Sequence, residues 1–209
     1  MTIAEDFLLL AMRAEDGRPL VSIIRLQCGL TGAVLADLAL AGRITLDGAA
    51  VTVSDPTPVG TPDEDAALDR IAAEQPHDLH WWLMDLRRDL QERIIARLVT
   101  RGALGEKRQR TMGIFSQTIH PSADPALERQ ALARLTSLID GAPPEPESLL
   151  LLAIVHATGL DEVIFPQVEA GAIEARLAEQ ADLSELVQQI VTTLPKTATL
   201  LTIAALAGT

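Results

Sequence analysis

A chain of 209 residues that is 48% apolar but only 2% aromatic must fill its core with Leu, Ala, Val and Ile, which suits helices. Its formal charge of −12 excludes a protein that holds nucleic acid through its whole surface. Cys28 is the only cysteine, so no intramolecular disulfide can form and a reducing compartment is expected.

Thr2-Ile3-Ala4-Glu5 reads as a capping box opening a short apolar helix that ends near Arg13. Glu5 and Asp6 precede the run Phe7-Leu8-Leu9-Leu10, which is not a leader pattern, and a cytoplasmic location is expected. Leu26 to Ala41 predicts a second helix with an apolar face of Leu30, Ala33, Val34, Leu38 and Leu40. Its Gly29 and Gly32 allow close backbone approach, and Gly42 stops it. Arg43 to Leu46 and Val51 to Val53 are β-rich runs around Asp47-Gly48-Ala49-Ala50, a hairpin pattern. After a loop with Pro56, Pro58 and Pro62, the last of these begins a helix carrying Ala66, Leu68, Ile71 and Ala72.

From Leu79 the series Leu79, Leu83, Leu86, Leu90, Ile94, Leu98 steps by three or four, predicting one long or broken helix to Arg101 with Gly102 as its stop. Thr111 to Phe115 is a second hairpin candidate, and Asp124-Pro125 caps a helix through Leu132, Leu135 and Ile139. Ser148 to Leu160, SLLLLAIVHATGL, has no polar face, so as a helix it must be buried. It is too short for a bilayer, which needs roughly 20 apolar residues. Ile173 and Leu177 mark another amphipathic helix and Leu183 to Leu194 one more, and Pro195 is expected to break the run before an apolar tail from Leu200 to Leu206. The expected fold is mainly α: a single domain over 1–209, amphipathic helices around one central hydrophobic helix, and two short β-hairpins.

The charge is unevenly placed. Arg87, Arg88, Arg93, Arg97, Arg101, Lys107, Arg108 and Arg110 meet only Asp89, Glu92 and Glu106 between residues 86 and 110, a local charge near +5. Such a stripe is either a candidate anion site or a solvated helix face paired with neighbouring acids. His77 and His80, near Glu74 and Asp85, are a weak metal pattern, and no metal or cofactor is expected. Trp81 and Trp82 read as one core ring, Trp82, with Trp81 open to an interface role. Cys28, inside an apolar helix, reads as an inert core thiol, and with no nucleophile beside a base the chain is expected not to be an enzyme. The helix-then-hairpin units 26–53 and 86–118 have the outline of winged-helix modules, which keeps a DNA binder as a third reading.

The runs FLLLAM, GLTGAVLADLALAGRITLDG, DAALDRIA, LQERIIARLVTRGAL, the hairpin with IHP, and LLLLAIVHATG, in this order over residues 5 to 165, resemble the Golgi phosphoprotein 3 family. The Ala-, Arg- and Leu-rich character points to a bacterial member. The resemblance implies a peripheral membrane protein that binds phosphatidylinositol 4-phosphate or another anionic phospholipid head group. Carried over position by position, the family's lipid-phosphate site falls on Ser22, Thr31, Arg88 and Gln91, with Arg87 and Arg25 near enough to substitute. Its membrane-inserting hairpin falls on Met112, Ile114 and Phe115, beside Arg108 and Arg110. The helix carrying Arg88 is expected to turn it towards the Thr31 end of the second helix. The resulting expectation is a non-enzymatic protein on the cytoplasmic membrane face, with a homo-oligomeric protein-interaction adaptor as the alternative and no nucleic-acid partner.

Overall fold

The capping box is formed. In the computed structural model of the chain, the Thr2 hydroxyl accepts from the Glu5 N–H and the Glu5 carboxylate accepts from the Thr2 N–H, each at 3.2 Å, starting α1 (Ile3–Ala11). The structure describes the backbone of all residues except 112–114, 170, 180–183 and 208–209, and in addition leaves undescribed the side chains of 110, 111, 115–117, 184–188, 190, 191 and 203–207. Every residue of α1 is buried.

α2 (Ile23–Leu40) begins three residues before the predicted Leu26, because the Ser22 hydroxyl accepts from the Arg25 N–H at 3.3 Å and caps the helix earlier. By length and composition α2 is able to cross a membrane, but it is largely buried within the fold. The predicted close approach is real: a Cβ at Gly29 would fall 2.4 Å from Cζ of Phe7 in α1.

β1 (Ile44–Asp47) and β2 (Ala50–Val53) make the first hairpin, with Leu46 opposite Val51. A third strand that the sequence did not announce, β3 (His77–Asp78), pairs with β2. Two residues are too few to show a period of two, so this strand exists only through its partner. Between them, α3 (Pro62–Ala73) starts at its proline as predicted.

The Leu79 series is broken into α4 (Leu79–Asp85) and α5 (Leu90–Thr100), joined at Asp89, which adopts a positive φ of 55°. The apolar period survives the break, with Leu79, Leu83, Leu90, Ile94 and Leu98 all buried. The angular relation between Leu86 and Arg88 on a continuous helix does not survive.

β4 (Lys107–Thr111) and β5 (Phe115–Ile119) form the second hairpin, longer than expected, with Arg108 opposite Thr118, Arg110 opposite Ser116 and Thr111 opposite Phe115. Met112 and Ile114 lie outside the described residues. α6 (Pro125–Ile139) carries the predicted cap, Asp124 accepting from the Ala126 N–H at 3.0 Å.

α7 (Pro146–Ala157) is buried on all sides from Ser148 to Val155, but Glu145 and Pro146, not Ser148, start it. A short α8 (Asp161–Ile164) precedes α9 (Ala172–Ala178), whose Ile173 and Leu177 are buried as predicted. The expected break at Pro195 does not occur: α10 (Ser184–Ala207) runs through it. Proline removes one backbone hydrogen bond, and the buried Leu194 and Ala198 on either side hold the helix across the gap.

The fold is mainly α and forms a single domain. Its buried centre is shared, however, because α2 touches α1, α3, α4, α5, α7 and α10 while α7 packs on α1, α2, α6 and α10. A helix so enclosed has no face to offer a DNA groove, which removes α2 as a recognition helix.

Candidate functional site

Three arginines of the basic segment are paired with buried carboxylates, Arg97 from within the fold and the exposed Arg93 and Arg101 from its surface. Arg93 Nε lies 2.7 Å from Asp63, and Arg97 reaches Glu5 at 3.0 Å and Asp63 at 2.8 Å. Arg101 reaches Glu5 at 2.6 Å. Their partners Glu5 and Asp63 are buried, as is Glu64, 3.6 Å from Arg97. Carboxylates buried to this degree require paired cations, so these arginines serve folding first. The acids come from α1 and α3, far away in sequence, which is why a local count of charge between 86 and 110 overstated the free positive charge. Exposed Arg88, Lys107 and Arg108 have no side-chain partner among the described residues.

The six positions carried over for a lipid phosphate do not meet in one pocket. Ser22 spends its hydroxyl on capping α2. Thr31 is fully buried and its hydroxyl donates to the Gln27 carbonyl at 3.1 Å, out of reach of any ligand. Arg25 donates to the Thr158 carbonyl at the C-terminal end of α7, beside Gly159, whose φ of +70° favours glycine. Arg87 is the residue that turns to α2, donating to Gln27 Oε1 at 3.3 Å, with its Nε buried and unpaired. Gln91 is half-buried in the first turn of α5. Arg88 turns the other way, towards α3, contrary to the expectation that it faces Thr31.

There it lines an open cleft of about 220 Å³ between α2, α3 and the α4–α5 corner. Arg70 and Arg93 stand at the same cleft, with Asp63 and Asp85 beside them and Val34 and Leu90 among its apolar walls. Arg70 is held by Asp85 at 3.2 Å and by Glu74 at 2.5 Å, and Arg93 additionally donates to the Arg88 carbonyl at 3.2 Å. Sequence reasoning missed Arg70 and Arg93 as neighbours of Arg88. A signal for Arg70 existed, since it sits four and three residues after Ala66 and Ala67, the small residues that open the cleft wall on α3.

The hairpin residues Arg108 and Lys107 are exposed on β4, and Phe115 begins β5. The aromatic reading resolves as Trp82 fully buried and Trp81 half-buried, with His77 stacked on Trp81 at 3.9 Å between ring centres. His80 is bonded to Thr197 at 2.7 Å, so the two histidines are occupied by different neighbours.

Cys28, Asp37 and His156 are among the titrating groups displaced from their ordinary ranges. Burial pushes the Cys28 thiol up to about 11, which leaves it protonated and unreactive. Burial also pushes the Asp37 carboxyl up to about 7, against the opposing bonds it accepts from the Ile3 and Ala4 N–H groups at 3.0 and 3.3 Å, while Glu64 and Asp6 add to the rise. His156 is raised chiefly by its hydrogen bond to Asp161 at 2.7 Å.

The sequence profile of the Golgi phosphoprotein 3 (GPP34) family matches residues 3–194, which takes in α1 through the first half of α10. A match over nearly the whole chain includes the capped α1, the Gly29–Gly32 crossing, the α3 cleft wall and the buried α7, and so this chain is a member of the Golgi phosphoprotein 3 family.

Proposed function

We propose that the protein binds the surface of an anionic membrane from the cytoplasmic side, recognising phospholipid head groups without catalysing a reaction. The observation that carries this reading is the division of the basic segment: Arg93, Arg97 and Arg101 are paired with buried carboxylates, whereas Lys107 and Arg108 stand exposed on a two-stranded hairpin and Arg88 has no side-chain partner among the described residues. Family membership supports it, since lipid binding is what the resemblance implied. Each basic side chain near an anionic surface contributes about 1 kcal/mol, so Arg88, Lys107 and Arg108 supply enough for measurable attachment of an otherwise acidic protein. The apolar residues Met112 and Ile114, which the resemblance assigns to a membrane-inserting hairpin, would add burial in the headgroup layer. Phosphatidylinositol 4-phosphate is the finer assignment, carried by the resemblance alone, because Ser22, Thr31 and Gln91 do not join Arg88 in one cleft.

Vesicle flotation tests the reading. Vesicles with about a third phosphatidylglycerol should float the protein and neutral phosphatidylcholine vesicles should not, with the difference falling severalfold as ionic strength rises through about 0.5 M. Lys107→Glu/Arg108→Glu should abolish flotation without changing the fold. Equal recovery with both vesicle types, or flotation that the double charge reversal leaves intact, would end it.

A further inference from the structure

α7 starts without a side-chain cap. Glu145 is its N-cap residue, but the Glu145 carboxylate accepts no bond from the first turn, and Pro146 brings no N–H. The first bond into the helix is donated by the Leu149 N–H, to the Glu145 carbonyl at 2.9 Å. Among the described residues the N–H groups of Glu147 and Ser148 therefore stay without an acceptor, at the positive end of the helix dipole. Beside them is a second unused donor. Ser148 is only 6% exposed, and its hydroxyl has no hydrogen-bond partner among the described residues, whereas buried hydroxyls are normally paired.

Ser148 lines a cleft of about 290 Å³ between α6, the α6–α7 loop and the start of α7. The walls, Ala133, Leu138, Ala142 and Pro143, are apolar, and Ser137 adds an exposed hydroxyl. Two charged side chains stand at the cleft, Arg134 and Glu145. The Arg134 charge is already balanced, because its guanidinium donates to the buried Asp6 carboxylate. Arg176 of α9 holds the loop by donating to the Leu138 carbonyl at 2.9 Å and to the Ala142 carbonyl, and its charge is met by Glu179 at 2.9 Å. What remains uncompensated is the exposed Glu145 carboxylate, without a partner among the described residues, and the partial positive charge at the start of α7. Both belong to one cleft, whose loop Arg176 fixes in advance of any ligand.

We infer that this cleft binds a small aliphatic α-amino acid as its zwitterion. The ligand carboxylate accepts from the Ser148 hydroxyl and from the unused N–H groups of the first turn of α7, the ammonium donates to Glu145, and the side chain lies on the Ala133, Leu138 and Pro143 wall. A plain anion would meet Glu145, with Asp140 and Glu147 close by in the chain, and a plain amine would leave the α7 donors unused, so neither fits alone. The site is independent of the membrane reading: it lies on α6 and α7 and uses no residue of the basic segment or the hairpin.

The experiment is titration calorimetry of the full chain with L-leucine, with isocaproate, the same skeleton without its amine, and with isoamylamine, the skeleton without its carboxylate. L-leucine should bind saturably at millimolar concentration or below, and each analogue about tenfold more weakly, as loss of a charge-assisted hydrogen bond requires. Glu145→Gln should weaken leucine binding about tenfold and Ser148→Ala severalfold, while Glu147→Gln, whose side chain is outside the lining, should leave it unchanged. Glu145 is exposed, so its variant reports on the site even if the buried Ser148→Ala substitution impairs folding. Absence of saturable leucine binding at millimolar concentration overturns the site. Binding that either analogue matches overturns it too, since one charge would then suffice, and binding that Glu145→Gln leaves intact places the leucine elsewhere and overturns the cleft. Vesicle flotation tests the membrane reading separately, and neither result decides the other.

Discussion

Replacing Gly29 by alanine tests the packing at the centre of the molecule. An added Cβ would sit 2.4 Å from Phe7 Cζ, 2.5 Å from Phe7 Cε1 and 2.9 Å from Thr158 Cγ2. Carbon atoms settle at about 3.5–4.0 Å, so the Phe7 ring has to retreat by roughly 1 Å. It has nowhere to go. Phe7 is fully buried, and Thr158 is tied by its hydroxyl to the carbonyls of Ile154 and Val155 at 2.8 and 3.0 Å. Overpacking of this kind costs about 1–3 kcal/mol. Alanine returns about 0.5–1 kcal/mol of helix propensity, so the net loss is about 1–2 kcal/mol.

Gly32, one turn along the same helix, is the internal control. Its nearest neighbour is the terminal methyl Leu194 Cδ1 at 3.3 Å, a flexible group that can yield, so Gly32→Ala should be neutral or gain up to about 0.5 kcal/mol. Urea unfolding followed by circular dichroism should rank Gly32→Ala at or above the parent and Gly29→Ala below it, with a thermal midpoint lowered by about 3–6 °C for a chain of this size. Trimming the ring in Gly29→Ala/Phe7→Leu should recover part of the loss, giving a coupling of at least about 0.5 kcal/mol. A Gly29→Ala protein as stable as the parent would mean that α1 and α2 do not cross as described.

The raised carboxyl of Asp37 carries a pH dependence of the less usual sign. Its folded value, about 7, lies above the unfolded one, so the stability it contributes is whole below about pH 4 and is lost as pH rises to 7, with a ceiling of ~4 kcal/mol. Asp6 and Glu64, also raised by burial, act in the same direction, and Asp37→Asn should flatten the fall in thermal midpoint between pH 5 and about 8. His156, raised above 6.5 by Asp161 and Glu174, likewise stabilises fully below its unfolded value and loses that contribution as pH climbs through the folded one. His156→Gln should therefore cost stability at pH about 6 and little at pH about 9, and a cost that is equal at both would refute the pairing. Arg97→Met should be severe, about 3–5 kcal/mol, because it strips the interior cation from Glu5, Asp63 and Glu64, whereas Arg88→Ala should change stability by less than about 0.5 kcal/mol. Chemical denaturation of the two variants side by side checks the contrast.

Much of the helical layout was legible because its signals are local. The Thr2–Glu5 box, Pro62, Asp124-Pro125 and the glycines 42, 102 and 159 act within a turn of where they stand, and the unbroken apolar circumference of α7 admits no exposed setting. The family was legible for the related reason that its motifs keep their order along the chain. Local signals also misled: Pro195 costs α10 one hydrogen bond, and whether that ends a helix depends on whether Leu194 and Ala198 find a core to enter. The strand at His77–Asp78 likewise exists only where β2 lies beside it.

What only the tertiary structure decided is which charges are free. Sequence places Arg88, Arg93, Arg97 and Arg101 in one basic run, and nothing nearby in the chain distinguishes them. Glu5 and Asp63 arrive from α1 and α3 to claim three of the four, and the turn at Asp89 rotates Arg88 away from Thr31 and towards Arg70. A charge is spent or available according to the groups within a few ångströms of it, and in a folded chain those groups come from helices whose separation in sequence carries no information about their distance in space.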